Sequence, residues 1–488
     1  MPIPIIILLC VLGALVLLCA VCAVRAARMK KTLPDTPAAV TWTDGEADKY
    51  AKDLSEMVKI PTVSRKQEED YPDFLVFQKK LEELFPLFFS QAENHDISGN
   101  ILRKLPGKDP KRGALLLMGH QDVVPAEGQS GWEKPPFSGE IENGCVWGRG
   151  AMDCKSTVCC ELEAVEELLK KGFTFNEDLW FFSARNEENS GGGSDAAAAW
   201  LKEQGIRLNV VLDEGGAVVM DMFPGLKAPA SGVGVVEKGY VNLRFTARSA
   251  GGHASTPPKN SPIARLSKFV AEAEKKNVFK KKMVSPVPEM FAAISPYLPF
   301  YFRFVLGNLW LFKGLVTRLL PAISPMAGAF VQTTAAFTMS GGSEAPNVLP
   351  DKAWIVCNMR PSVHQNADES IAALKKLADK YDIETEVLYK KDASAVTDVT
   401  GKEFRFLTEC IEKCLPDTVP TPYMMTGGTD SRRFEIVCDN VLRFTPTRLT
   451  PQQLAAMHAA NENIGVQALA EGVKTYKYYI ERYNAREC

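Results

Sequence analysis

The sequence predicts an α/β protein: a sheet with helices on both faces, interrupted by a two-layer α+β insert and preceded by one N-terminal transmembrane helix. Three observations predict it. Short apolar runs at 114–118, 179–184 and 210–212 alternate with helical patterns at 157–171 and 194–204, the order expected of a sheet buried on both faces. Between 237 and 362 that pattern gives way to strand-like segments at 240–247 and 353–359 flanking helices. Residues 5–24 are uncharged and mostly apolar, enough helix to cross roughly 30 Å of hydrocarbon.

Taken in order, the first unit is 1–31, an apolar span with a basic flank. No Lys or Arg precedes the span, whereas Arg25, Arg28, Lys30 and Lys31 follow it. The positive-inside rule therefore predicts a single-pass anchor with the remainder of the chain in the cytoplasm. A cleaved signal would need a basic start and a shorter apolar run. Of 12 cysteines, three lie in the span and the rest are scattered without disulfide spacing, as reduced thiols are. A proline-containing linker at 32–43 leads to a helix at 44–58 and a first catalytic segment, 44–236. The insert follows at 237–362, and 363–488 completes the catalytic part. Lys and Arg number 57 against 59 Asp and Glu, so no basic field exists to recruit nucleic acid.

The apolar runs end on residues with chemistry. The first ends at Gly119-His120-Gln121-Asp122, the second leads to Asn186-Glu187-Glu188, and the third to Asp213-Glu214-Gly215-Gly216; Gly148-Arg149-Gly150-Ala151-Met152-Asp153 and a late His458 complete the set. Singly, each is an ordinary surface carboxylate or core histidine. Jointly, they are the parts of a two-metal hydrolytic site. Two ions about 4 Å apart need one bridging carboxylate and two further protein ligands each. His120, Asp153 and Asp213 suit one ion, and Asp153, Glu188 and His458 the other, with Asp153 as bridge. Nitrogen and carboxylate donors favour Zn2+, for which cobalt or manganese can substitute. Glu187 is left free to act as general base. Asp122, two residues after His120 on an extended segment, is placed to accept that histidine's second ring N–H.

These motifs resemble the di-zinc metallopeptidase family of aminoacylase, carboxypeptidase S and succinyl-diaminopimelate desuccinylase. His-x-Asp-Val-Val-Pro, Gly-Arg-Gly-x-x-Asp, the Glu pair, Asp-Glu-Gly-Gly and a late His followed by Asn-Glu occur in that order. The resemblance runs from about Ala47 to the C-terminus. Within the family, Asn308-Leu309-Trp310-Leu311-Phe312, Asn347-Val348-Leu349-Pro350 and Gly428-Thr429-Asp430-Ser431-Arg432 look most like carboxypeptidase S and the N-fatty-acyl-amino-acid synthase/hydrolases. Two departures are Asn186, where the subgroup usually has Asp, and Cys154 directly after the bridging Asp.

The resemblance implies a zinc-peptidase-like mixed sheet and makes the insert a lid or dimerisation domain, hence a homodimer through the lid. It implies that His253 holds the oxyanion, often in a partner's site. Asn347, Arg360 and the Gly428-Thr429 loop would contact substrate, and the Asp153–Cys154 peptide bond would be cis. It implies hydrolysis of an amide bond beside a free carboxylate in a peptide or an N-acyl amino acid. Carboxypeptidase S relatives are lumenal, which opposes the charge rule. A membrane-tethered binder without turnover would not need the free carboxylate of Glu187. The apolar stretch 291–330 keeps three readings open: lid core, a pocket for an acyl chain, or a membrane-facing surface.

Overall fold

The structure, a computed structural model, describes residues 2–65, 72–109 and 112–486. A ten-stranded mixed sheet forms the catalytic part. Its order is Glu93–Ile97, Asn100–Leu105, Asp178–Ala184, Ala114–His120, Val210–Asp213, Val441–Arg443, Ala230–Glu237, Val218–Val219 and Arg448–Leu449, with Val419–Met425 also paired to Ala230–Glu237. The central strands Asp178–Ala184, Ala114–His120, Val210–Asp213 and Val441–Arg443 run parallel.

Both faces are covered, as the alternation of the strands requires. Leu115, Leu117 and Phe181 point into one core with the helices Asp44–Val58, Lys155–Lys170 and Val466–Ala485. Leu116, Met118, Trp180 and Phe182 point into the other, against Ala197, Ala198 and Leu201 of helix Gly193–Glu203. The helix Asp44–Val58 starts where Thr43 and Glu46 form a reciprocal capping box.

The chain leaves the sheet at Glu237 and enters a second layer. Here an antiparallel sheet orders Thr334–Gly341, Lys352–Arg360, Tyr240–Arg248 and Glu384–Lys391, backed by Pro262–Lys276 and Ala367–Ala378. This sheet takes its fourth strand from beyond residue 362, where the insert was expected to end. The signal there is weak because Glu384–Lys391 is an edge strand with mostly exposed side chains, so it lacks the apolar alternation that reveals a buried strand.

The stretch 291–330 folds as short helices. Phe291, Ile294, Leu298, Leu306, Val316 and Leu320 are buried, in one core with Ala230 and Met424 of the catalytic sheet. The helix Ile3–Arg28 is long and apolar enough to cross a membrane.

Candidate metal centre and active site

The parallel strands deliver their last residues to one edge. His120 is the final residue of its strand, in register with Ala184, two residues before Asn186. Its Nε2 lies 3.0 Å from Asp153 Oδ1. His458 reaches the same carboxylate from the other side, with Nε2 3.0 Å from Asp153 Oδ2 and 3.2 Å from Glu188 Oε2. Each oxygen of Asp153 thus faces one imidazole nitrogen, the disposition a bridging carboxylate requires.

Asp153 is held from behind. Glu462 Oε1 accepts the N–H groups of Met152 and Asp153 at 2.9 and 3.1 Å, and Arg149 pairs with Glu462 Oε2 at 2.6 Å, fully buried. Gly150 has φ +83°, and a Cβ there would lie 2.5 Å from Val123, so the turn presenting Asp153 needs glycine. The Asp153–Cys154 bond is cis. Arg149 and Glu462 lie inside the quoted motifs, but their pairing, across more than three hundred residues, has no local signature.

Asp122 has a wider task than expected. His120 Nδ1 lies 2.9 Å from its backbone carbonyl and 3.3 Å from its carboxylate. That carboxylate also accepts Glu187 N and Glu188 N, each at 3.1 Å, and Ser64 Oγ at 2.6 Å. One buried side chain fixes the histidine and the Glu pair together.

The electrostatics agree with a cation site. Burial pulls the Asp153 carboxyl upward, but hydrogen bonds from His120 and His458 outweigh it and hold it below the ordinary range. Hydrogen bonds to Asp153 and Glu188 push His458 up to about 10, so the carboxylates demand positive charge between them. Glu188 Oε1 is buried without a hydrogen-bond partner among the described residues, an oxygen left for an ion. Contacts of 3.0–3.2 Å are also near the roughly 3.3 Å edge of a tetrahedron with 2.0–2.1 Å bonds. The residues fit divalent metal. Cys154 stands beside them, but burial pushes its thiol well up, and it accepts His120 N–H and donates to His120 C=O. It acts as a support, not as a thiolate ligand.

Glu187 is half-buried beside the cluster, and burial, with the charges of Asp430, Glu214 and Glu188, pushes its carboxyl well above the usual range against the pull of His120. Asp213 is not among the converging side chains. Its oxygens accept Glu214 N at 2.8 Å and Ser431 N at 3.0 Å. Its neighbour Glu214 faces the cluster instead: it lines the adjoining cavity with Asp153, and its carboxyl is pushed up by burial, then by Asp213 and Asp153. Sequence reasoning passed over Glu214, although it belongs to the Asp-Glu-Gly-Gly motif.

The remaining expected residues have partners outside the His120–Asp153–His458 cluster. His253 is exposed on a two-residue strand paired with Val348–Leu349, its Nδ1 2.8 Å from Ser255 Oγ. Asn347 sits on the same ribbon, its carbonyl accepting Ala254 N. Arg360 ends its strand half-buried, 4.4 Å over the Tyr240 ring, with Nε donating to Asn358 Oδ1; no carboxylate lies within salt-bridge distance among the described residues. Thr429 Oγ1 is engaged with Glu237 and Ser431, and a Cβ at Gly428 would approach Glu237 Oε2 to 3.1 Å, so this loop packs on the root of the insert.

A cavity of about 620 Å3 opens beside Asp153 and Glu214, walled by Met220, Met222, Met326, Phe330, Met424 and Leu454. It is mostly apolar.

Residues 116–482 match Peptidase family M20/M25/M40. The human N-fatty-acyl-amino acid synthase/hydrolase PM20D1 is 30% identical over 86% of this chain and 85% of its own length. Carboxypeptidase S of Saccharomyces cerevisiae is 26% identical over 88% and 83%. Among solved structures, the M20 family metallo-carboxypeptidase Sso-CP2 from Sulfolobus solfataricus shares the fold with a TM-score of 0.65 at 19% identity, over 90% of this chain and 99% of that one. Human carnosine dipeptidase 1 does so at 0.61 and 15%, over 91% and 98%. Paired histidines on one half-buried carboxylate, a free carboxylate beside them and this extent of similarity lead to one conclusion: the chain is a metal-dependent amide hydrolase and belongs to peptidase family M20/M25/M40.

Proposed function

We propose that this enzyme uses two zinc ions to hydrolyse the amide bond of a small peptide next to a free α-carboxylate, as a carboxypeptidase or dipeptidase. The observation that carries the reading is Asp153 between His120 and His458, with Glu187 beside it. His120 and Asp153, with Glu214 in place of the expected Asp213, would hold one ion, and Asp153, Glu188 and His458 the other. Bound there, such ions supply Lewis acidity to the scissile carbonyl and ease the deprotonation of water. Glu187 takes the proton of the attacking water and delivers it to the leaving amine. Asp122 keeps His120 and the Glu pair in register. His253 donates to the carbonyl oxygen as charge develops on it, once the ribbon bearing it, with Asn347, meets the sheet edge. Arg360, backed by the loop at Gly428 and Thr429, pairs with the substrate carboxylate.

A second reading, hydrolysis or synthesis of N-acyl amino acids, is favoured by the apolar cavity beside Asp153. Each methylene buried there contributes roughly 0.8 kcal/mol. One assay addresses both: turnover of dipeptides and of N-acyl glycines of increasing chain length, each with a free or an amidated C-terminus, with and without chelator. Free-carboxylate dipeptides cut in a chelator-sensitive manner support the first reading. Efficiency climbing with acyl length supports the second, and equal cleavage of free and amidated termini refutes the carboxylate clamp in both. The helix Ile3–Arg28 would anchor the enzyme, on the cytoplasmic side by its charge asymmetry; digestion by protease added outside intact cells would refute that side.

A further inference from the structure

The C-terminal end of the N-terminal helix is built into the apolar insert. Asn308 Nδ2 donates to Cys22 O at 3.2 Å, Arg25 Nε donates to Asn308 Oδ1 at 3.1 Å, and Arg303 Nε donates to Ala26 O at 2.9 Å. Lys31 N then bonds Pro296 O at 3.0 Å. Cys22 and Ala26 are the only residues of that helix that are fully buried among those described. At 1.5 Å per residue, its first twenty residues already span about 30 Å, the thickness of a bilayer's hydrocarbon. The docked turns therefore fall at the level of one membrane interface.

What surrounds this joint is apolar and uncovered. Along Leu309–Ile323, residues Leu311, Leu315, Leu319 and Ile323 recur at helical spacing of four and are all exposed, Ile323 by 67%. Trp310, Tyr301 and Met326 stand beside them at 58, 63 and 65% exposure, and Trp310 Nε1 donates to the same Asn308 that receives Arg25. From residue 290 to 343 the chain contains no Asp or Glu, whereas Arg303, Lys313 and Arg318 are present, and no acid precedes Asp35 on the helix side. An apolar stripe with an aromatic at its edge, flanked in sequence by cations alone, has the make-up of a helix lying in an anionic lipid interface.

We infer that the insert's face formed by Tyr301, Trp310, Leu311, Leu315, Leu319 and Ile323 docks into the lipid leaflet from which the N-terminal helix emerges. The inference rests on the anchoring role proposed for that helix. The hydrogen-bonded joint fixes the face next to the point of membrane exit, so lipid is the occupant it meets. Met326, exposed at the end of this face, also walls the cavity beside Asp153. The membrane-docked surface thus adjoins the apolar space next to the candidate catalytic groups, and an amphiphilic substrate has a short way from leaflet to site.

The test uses the full chain reconstituted into vesicles of phosphatidylserine and phosphatidylcholine with brominated acyl chains. The N-terminal helix contains no tryptophan, and Trp310 is one of seven in the chain. Relative to unbrominated vesicles, emission should fall by the share of one tryptophan, and Trp310→Phe should abolish that loss while the chain still floats with the vesicles. Leu315→Glu with Leu319→Glu should weaken the quenching without releasing the chain. Flotation without Trp310 quenching, or quenching indifferent to the two glutamates, overturns the docking and leaves the anchor intact. A chain that fails to float overturns both.

Discussion

The sheet edge and the insert hold the two halves of the proposed chemistry in opposite conditions. His120, Asp122 and Asp153 are locked by buried partners, so that a single carboxylate holds a histidine and both members of the Glu pair. His253 is exposed, and its hydrogen bonds stay within its own turn. The proposed catalytic set is organised before substrate arrives, whereas the proposed oxyanion donor would have to be brought to it. A charged cluster gains from rigidity, because fixed dipoles cost no reorganisation during reaction. A lid gains from freedom, because substrate has to enter.

The largest test of this contrast is Glu187→Gln. It should lower kcat by about 10^3–10^4-fold while metal analysis still finds two ions per chain. His120→Ala, His458→Ala and Glu214→Gln should instead lower the metal content. Near-normal turnover in Glu187→Gln would break the assignment of the base. A smaller effect, about 10^2-fold in kcat, is expected of His253→Ala, with metal content unchanged. Mixing the His253→Ala and Glu187→Gln chains sharpens the comparison: recovered activity means that His253 serves a partner's site through a lid-mediated dimer. No recovery keeps it in its own.

The sheet edge was legible because His120, the Glu pair and the Asp213-Glu214 motif follow apolar runs, so strand ends and candidate chemistry coincide in the sequence. The strands found at Ala114–His120 and Asp178–Ala184 extend the apolar runs by only a residue or two. Asp122's role was legible only in part, since its carboxylate acts on the backbone of residues 65 and 66 positions away. The same limit hid the Arg149–Glu462 pair: each lies in a recognisable motif, but their contact exists only once the chain is folded. Asp213 and Glu214 illustrate another limit. Adjacent strand residues point to opposite sides, so a boundary uncertain by one residue leaves open which carboxylate faces the cavity. The stretch 291–330 was ambiguous by composition, and the structure divides it between a buried row and an exposed one.

The Arg149–Glu462 pair has a consequence for the making of the protein. Ribosomes deliver the chain from its N-terminus, and early segments begin to collapse before late ones exist. His120, Asp153 and the Glu pair emerge long before His458 and Glu462, which stand 310 residues beyond Met152 in the case of Glu462. A nascent or prematurely terminated chain therefore carries only one of the two histidines that flank Asp153, and an Asp153 without its supporting carboxylate. With the proposed ligand set, hydrolytic competence arrives only with the final stretch of translation.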